Sequence, residues 1–213
     1  MSIDRLTKSG VIAVVRKLEP TKTLHVIEAL IKGGITGLEI TINSEDALHL
    51  INKAKKEFGS DAVVGAGTVL DGSSAGDAIR AGAEFVFAPT LSKETILVGN
   101  RYGKIVIPGV MTPTEMLQAY EWGAEAVKIF PASVLGPKFI KDVKGPLGHI
   151  PIVPTGGINL ENVQEYISVG AIAVGVGGSL LKKQFIQDNK WEALTDLAKQ
   201  FKEKVNEARA YAL

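Results

Sequence analysis

The sequence has 213 residues and no cysteine. That excludes disulfides and thiolate chemistry, and it fits an intracellular protein. It has almost no net charge: 24 Lys and Arg against 23 Asp and Glu leave +1. No bulk field therefore draws nucleic acid or an anionic membrane as partner. The three histidines, His25, His49 and His149, are too dispersed to read as metal ligands. Long hydrophobic runs are missing too. Val11–Val15 and Ala171–Val176 fall far short of the about 20 apolar residues that a membrane helix needs. Met1–Gly10 is polar and lacks the apolar core of a secretory signal. The expectation is a soluble, cytoplasmic protein, with 46% apolar residues to supply the core of one domain spanning residues 1–213.

What is present is a repeating pattern. Short apolar, β-branched runs occupy Val11–Arg16, Gly37–Asn43, Ala62–Val69, Phe85–Thr90, Ile105–Val110, Ala126–Pro131, Ile152–Gly157 and Ile172–Gly178. Near-continuous hydrophobic runs of this length are the mark of parallel strands buried on both faces. Helical patterns lie between them, most plainly at Thr21–Lys32, Ser44–Phe58, Thr112–Trp122, Asn159–Val169 and Lys190–Arg209. Ser44 is a candidate N-cap, and Gly33, Gly82, Gly123 and Gly170 are candidate left-handed C-caps. Ser2–Gly10 reads as a short leading helix. Eight βα units, with no Gly-rich dinucleotide turn after the first strand, predict an α/β fold: a single-domain (β/α)8 TIM barrel.

In such a barrel the active site lies at the C-terminal ends of the strands. Lys128, inside the apolar "AVKIFP", stands out there. Burying an ammonium is costly, and desolvation frees the neutral amine that attacks carbonyls. The alternative is a structural lysine that is paired or snorkels to the rim. Glu39, in "GLEITIN", shares one strand face with Thr41 and Asn43. It can shuttle protons near Lys128, neutralise it, or both. Gly156-Gly157 and Gly177-Gly178-Ser179 end the last two strands, where backbone amides can approach a phosphate. Lys138, Lys141 and Lys144 read as a solvated helix face.

Together, "VIAVVR", "GLEITIN", "VVGAGTVL", "FAPT", "IPGVMTPTE", "AVKIFPAS", "PTGGI" and "VGVGGSLL" resemble the 2-keto-3-deoxy-6-phosphogluconate aldolase family, also known for 4-hydroxy-2-oxoglutarate aldolase activity. The resemblance covers nearly the whole chain. It implies a class I aldolase without metal or other cofactor, acting on a small phosphorylated 2-keto sugar acid and assembled as a homotrimer. It implies Lys128 as the Schiff-base lysine and Glu39 as general acid/base. It places Thr68 near the keto-acid carboxylate, Pro89 and Phe130 along the pocket, and Gly156, Gly157, Gly178 and Ser179 at the phosphate.

One position departs from the pattern. Well-known phosphogluconate members of the family carry an arginine four residues after the glutamate, and here that residue is Asn43. Arg16, on the neighbouring strand, is the candidate replacement for holding the carboxylate. That swap, with "LGPKFIK", is similar to the 2-dehydro-3-deoxy-6-phosphogalactonate aldolases and leaves the epimer open. Two other classes share the glycine turns: a phosphate-handling transferase or isomerase on the same barrel, and a barrel that binds phosphosugars without turnover.

Overall fold

A computed structural model describes residues 2–211. Met1, Ala212 and Leu213, at the ends of the expected domain, lie outside the described residues. The chain alternates strands and helices. It opens with α1 (Ile3–Thr7), β1 (Val11–Val15), α2 (Pro20–Lys32), β2 (Gly37–Thr41), α3 (Ala47–Phe58), β3 (Val63–Gly67) and α4 (Gly72–Ala81). Then follow β4 (Phe85–Phe87), α5 (Lys93–Arg101), β5 (Ile105–Ile107), β6 (Gly109–Val110), α6 (Pro113–Glu121), β7 (Val127–Ile129) and α7 (Ala132–Leu147). It closes with β8 (Ile152–Pro154), α8 (Val163–Ser168), β9 (Val174–Val176), α9 (Lys183–Gln187) and α10 (Trp191–Tyr211). Among the described residues no helix is long and apolar enough to cross a membrane.

The strands form curled, all-parallel sheets. One has the order β5-β4-β3-β2-β1-β9, the other β6-β7-β8. This differs from a single eight-stranded ladder, and the chemistry of Pro108 explains one break. β5 and β6 are one run of chain, and Pro108 between them accepts from the Lys128 amide at 2.8 Å but has no N–H to donate. The two sheets meet again more sparsely, through a bridge between Thr155 and Gly175 and through Ile172 N–H donating to the Ile152 carbonyl at 3.1 Å. The strands also stop short of the expected ends. β4 closes at Phe87 rather than Thr90 and β9 at Val176 rather than Gly178, because the chain turns into loops there.

Register decides which side chains share the concave face. Leu6 of α1 joins Ile12, Val63, Phe85, Phe87, Ile105, Ile107, Ala126, Val153 and Ala173 in one buried apolar cluster. Residues from so many strands can touch only if the sheets curl around them. Val63 pairs with Gly37, so Glu39 and Thr41, two and four residues on, face the same way. Val153 pairs with Lys128, which therefore faces inward as well. The opposite faces of the strands pack against the helices in a second, larger core.

Several helix ends differ from expectation. Gly33 is not left-handed (φ −81°); Gly34 is, at φ +85°. A Cβ on Gly33 would lie 2.7 Å from the Thr195 carbonyl, so close packing of α10 dictates that glycine. Gly82, Gly123 and Gly170 are left-handed as expected. Helix α3 starts at Ala47 after Asp46, and Ser44 caps no helix. Its hydroxyl instead accepts from the Lys17 amide at 2.8 Å and meets Thr41 Oγ1 at 2.9 Å. The "LGPKFIK" stretch breaks α7 at Gly136 (φ +71°), and Pro137 restarts it.

Candidate active site

Lys128 is 2% exposed and Glu39 is fully buried, each inside a short strand whose other residues are apolar or small. The Lys128 Nζ lies over two aromatic rings, 4.3 Å from the centroid of Phe87 and 4.8 Å from that of Phe130. Both Glu39 carboxylate oxygens are buried and accept no hydrogen bond from the protein. Lys128 and Glu39 do not form a close ion pair with each other. Burial pushes the Glu39 carboxyl up to about 7, against the opposing pull of Lys128 and then Arg16. Burial pushes the Lys128 ammonium down, opposed by Glu39 and reinforced by Arg16. The charge on each group therefore depends on the other, and the two titrate as a coupled pair. An amine whose charged form is disfavoured by burial, beside a carboxyl near 7, can add to a carbonyl and move protons around the adduct.

A cavity of about 360 Å³ lies next to Phe130, and neither Lys128 nor Glu39 is part of its wall. Its wall includes Arg16, Phe130, Thr155, Gly156, Gly157, Gly178 and Ser179, with Val14, Ile158, Asn159, Gly175 and Gly177. Phe130 belongs to both places, lining the cavity and touching Nζ. Gly156 and Gly157 have φ of +98° and +77°. The Ser179 hydroxyl donates to the Ile158 carbonyl and ties the two glycine loops together. Among the described residues the amides of Gly157, Gly178 and Ser179 donate to no protein acceptor. Amides left free on a concave loop are ready anion donors.

A family model described as KDPG and KHG aldolase matches residues 3–197. The chain belongs to that family. Its members are lyases, and this chain is an aldolase. It is 33% identical, over 93% of both chains, to the 2-dehydro-3-deoxy-phosphogluconate aldolase of Pseudoalteromonas atlantica. It is 35% identical to the 2-dehydro-3-deoxy-6-phosphogalactonate aldolase of Escherichia coli, over 83% of this chain and 86% of that one. It superposes with a TM-score of 0.85 on the KDPG aldolase of Legionella pneumophila holding pyruvate as a covalent carbinolamine, at 31% identity over 91% and 94% of the two chains.

Not every residue singled out in the aldolase sequence reaches the cavity. Arg16 lines it and donates from Nη2 to Thr68 Oγ1 at 3.2 Å. Thr68 itself, held at φ +59°, touches the cavity only through that arginine. Asn43 is exposed in the turn after β2 and is not part of the wall. Pro89 is half-buried, with its carbonyl against Gly109, and also lies outside the wall. Two of the three histidines have aromatic partners: His25 stacks on Trp191 and His149 meets the Tyr120 edge. Lys138 pairs with Asp142 at 2.7 Å on an exposed face.

Two residues escaped the sequence reading. Phe87 was one apolar residue in an apolar strand, with nothing local to mark it. Thr155 stands at a strand end, where the sequence alone gives its hydroxyl no role. Its hydroxyl is buried without a protein partner and the residue lines the cavity.

Proposed function

We propose that this chain is a metal-independent class I aldolase that cleaves 2-keto-3-deoxy-6-phosphogluconate to pyruvate and glyceraldehyde 3-phosphate, with 4-hydroxy-2-oxoglutarate as a further substrate. One observation carries the proposal: a buried amine, Lys128, lies without a close ion pair beside a buried carboxyl held near 7. The neutral Nζ adds to the C2 carbonyl. Glu39 protonates the carbinolamine oxygen, water leaves, and the nitrogen becomes a cationic iminium. The C3–C4 electrons flow into it while Glu39, directly or through a water, takes the C4 hydroxyl proton. The aldehyde departs, the enamine is protonated at C3, and hydrolysis returns pyruvate and the free amine.

Arg16 holds the keto-acid carboxylate, and the free amides of the two glycine loops hold the phosphate. The galactonate epimer is the second substrate to test. The resemblance supports it: an arginine ending the first strand, with Asn43 outside the cavity, is similar to the galactonate aldolases. The same reading takes the two sheets as one closed eight-stranded barrel forming a single domain, assembled as a cytoplasmic homotrimer. Borohydride trapping with pyruvate tests the chemistry. An adduct on Lys128, lost in Lys128→Met together with turnover, is the expected result. Retained cleavage in Lys128→Met overturns the covalent route.

A further inference from the structure

We infer that Phe87 is a catalytic residue that, with Phe130, forms an aromatic clamp stabilising the cationic iminium on Lys128. This rests on the Schiff-base reading proposed above. Nζ lies 4.3 Å from the Phe87 centroid and 4.8 Å from the Phe130 centroid, both within cation–π range. The two rings come from different sheets, Phe87 from β4 and Phe130 from just after β7, so both meet the nitrogen without any local sequence relation. Desolvation strengthens this attraction, and Lys128 is almost wholly withdrawn from solvent.

The chemistry gives the rings a task that the charged groups cannot perform. Forming the iminium consumes one neutral amine, one ketone and one proton, and releases one water. A positive charge therefore appears on a buried nitrogen. The charged groups acting on it are Glu39 from β2 and Arg16 after β1. Arg16 opposes the new charge. Glu39 favours it only while ionised, and it must give up that charge whenever it carries a proton for the reaction. The ring faces do not titrate. They stabilise the cation at every stage and leave Glu39 free to carry protons.

The clamp also holds the resting ammonium, and this yields a distinctive pH signature. Below the Lys128 titration, free enzyme and iminium are both cations, so weakening a ring costs both equally. Above it, the free enzyme is neutral and only the iminium loses. A residue that merely packs the core would change trapping alike at every pH.

The test places 3,4,5-trifluorophenylalanine at position 87 of the full chain. Fluorine drains the ring face of negative charge while nearly preserving its shape, so folding is spared. Iminium with subsaturating pyruvate is trapped by borohydride, and the variant-to-wild-type ratio is read at each pH. The expected ratio is near one at low pH and falls to roughly one fifth above the lysine titration. The apparent titration of Lys128 moves to lower pH. Phe87→Leu falls further, and Phe87→Tyr keeps most of the adduct. A ratio of one throughout, or a uniform fall at all pH, overturns the clamp while leaving the Schiff-base reading intact. Absence of any adduct in the wild-type chain overturns both.

Discussion

The carboxylate of Glu39 rests directly on the backbone of Gly67, two strand-neighbours facing the same concave surface. A Cβ at position 67 would coincide with the side chain of Glu39. Gly67 has ordinary strand geometry, so its glycine is required by space and not by backbone conformation. Gly67→Ala should therefore push Glu39 out of place. The expected outcome is a fall in kcat of at least about tenfold, with about 1–3 kcal/mol of lost stability from overpacking. Steady-state kinetics and denaturant titration read the two effects separately. Full activity in a folded Gly67→Ala would show that the position of Glu39 is not critical.

Burial of Glu39 makes stability depend on pH in a direction opposite to the usual carboxylate. Its folded value, about 7, stands above the ordinary 4.5, so the folded state binds the extra proton between these limits. The contribution is fully present below pH 4.5 and is lost as pH rises through 7. The whole swing is on the order of 3 kcal/mol. Lys128 works the other way, regaining stability as pH climbs from its lowered value toward 10.5. Glu39→Gln isolates the first effect. Its unfolding midpoint should fall less than that of the wild type between pH 5 and pH 7. Parallel profiles for the two proteins would contradict a raised Glu39.

Arg16 is exposed, yet it lines the cavity and reaches Thr68. A guanidinium can bind both oxygens of a carboxylate, which an ammonium cannot do with the same geometry. Arg16→Ala should raise KM for pyruvate in the aldol direction by roughly ten- to a hundredfold, with smaller change in kcat. Arg16→Lys should recover only part of the loss. Asn43→Ala should change KM little, because Asn43 stands outside the cavity. A larger effect at Asn43 than at Arg16 would reverse the assignment.

The sequence was most legible where chemistry conflicts with surroundings. A lysine and a glutamate inside apolar strands announce a cost that needs a reason, and both proved buried on one face. The order of strands and helices was legible because β-branched runs and helical periodicity alternate. Contacts across the sheets were not legible. Phe87 gains its meaning only from facing Lys128, and Gly33 only from the approach of α10. Ser44 shows the limit of local signals: a serine before a helical pattern fits a cap, but Lys17 and Thr41 engage it first. The sheet break at Pro108 was hidden because the apolar run continues through it.

Gly178 separates phosphate binding from carbon chemistry. A Cβ there meets no protein atom within 4 Å, and its φ lies outside the left-handed region. Gly178→Ala should fold with near-normal stability and place a methyl in the cavity wall. kcat/KM for the phosphorylated substrate should fall about tenfold or more as the amide loses its approach to the phosphate. Activity on 4-hydroxy-2-oxoglutarate, which has no phosphate, should remain. Equal loss on both substrates would remove the glycine loops from phosphate binding.

Thr155 holds a buried hydroxyl that makes no protein hydrogen bond, an arrangement that costs stability unless a ligand uses it. Its place on the cavity wall, bridged to Gly175, points the cost toward substrate binding. Valine has nearly the same shape and lacks the hydroxyl. Thr155→Val should therefore raise the unfolding free energy by about 1 kcal/mol while lowering kcat/KM for the preferred sugar acid. If the hydroxyl contacts the carbon at which the gluconate and galactonate epimers differ, the ratio of kcat/KM between them shifts as well. Both epimers should be assayed on both proteins, with denaturant unfolding alongside. A less stable Thr155→Val with unchanged kinetics would mean that the hydroxyl serves the fold and that discrimination lies elsewhere in the cavity.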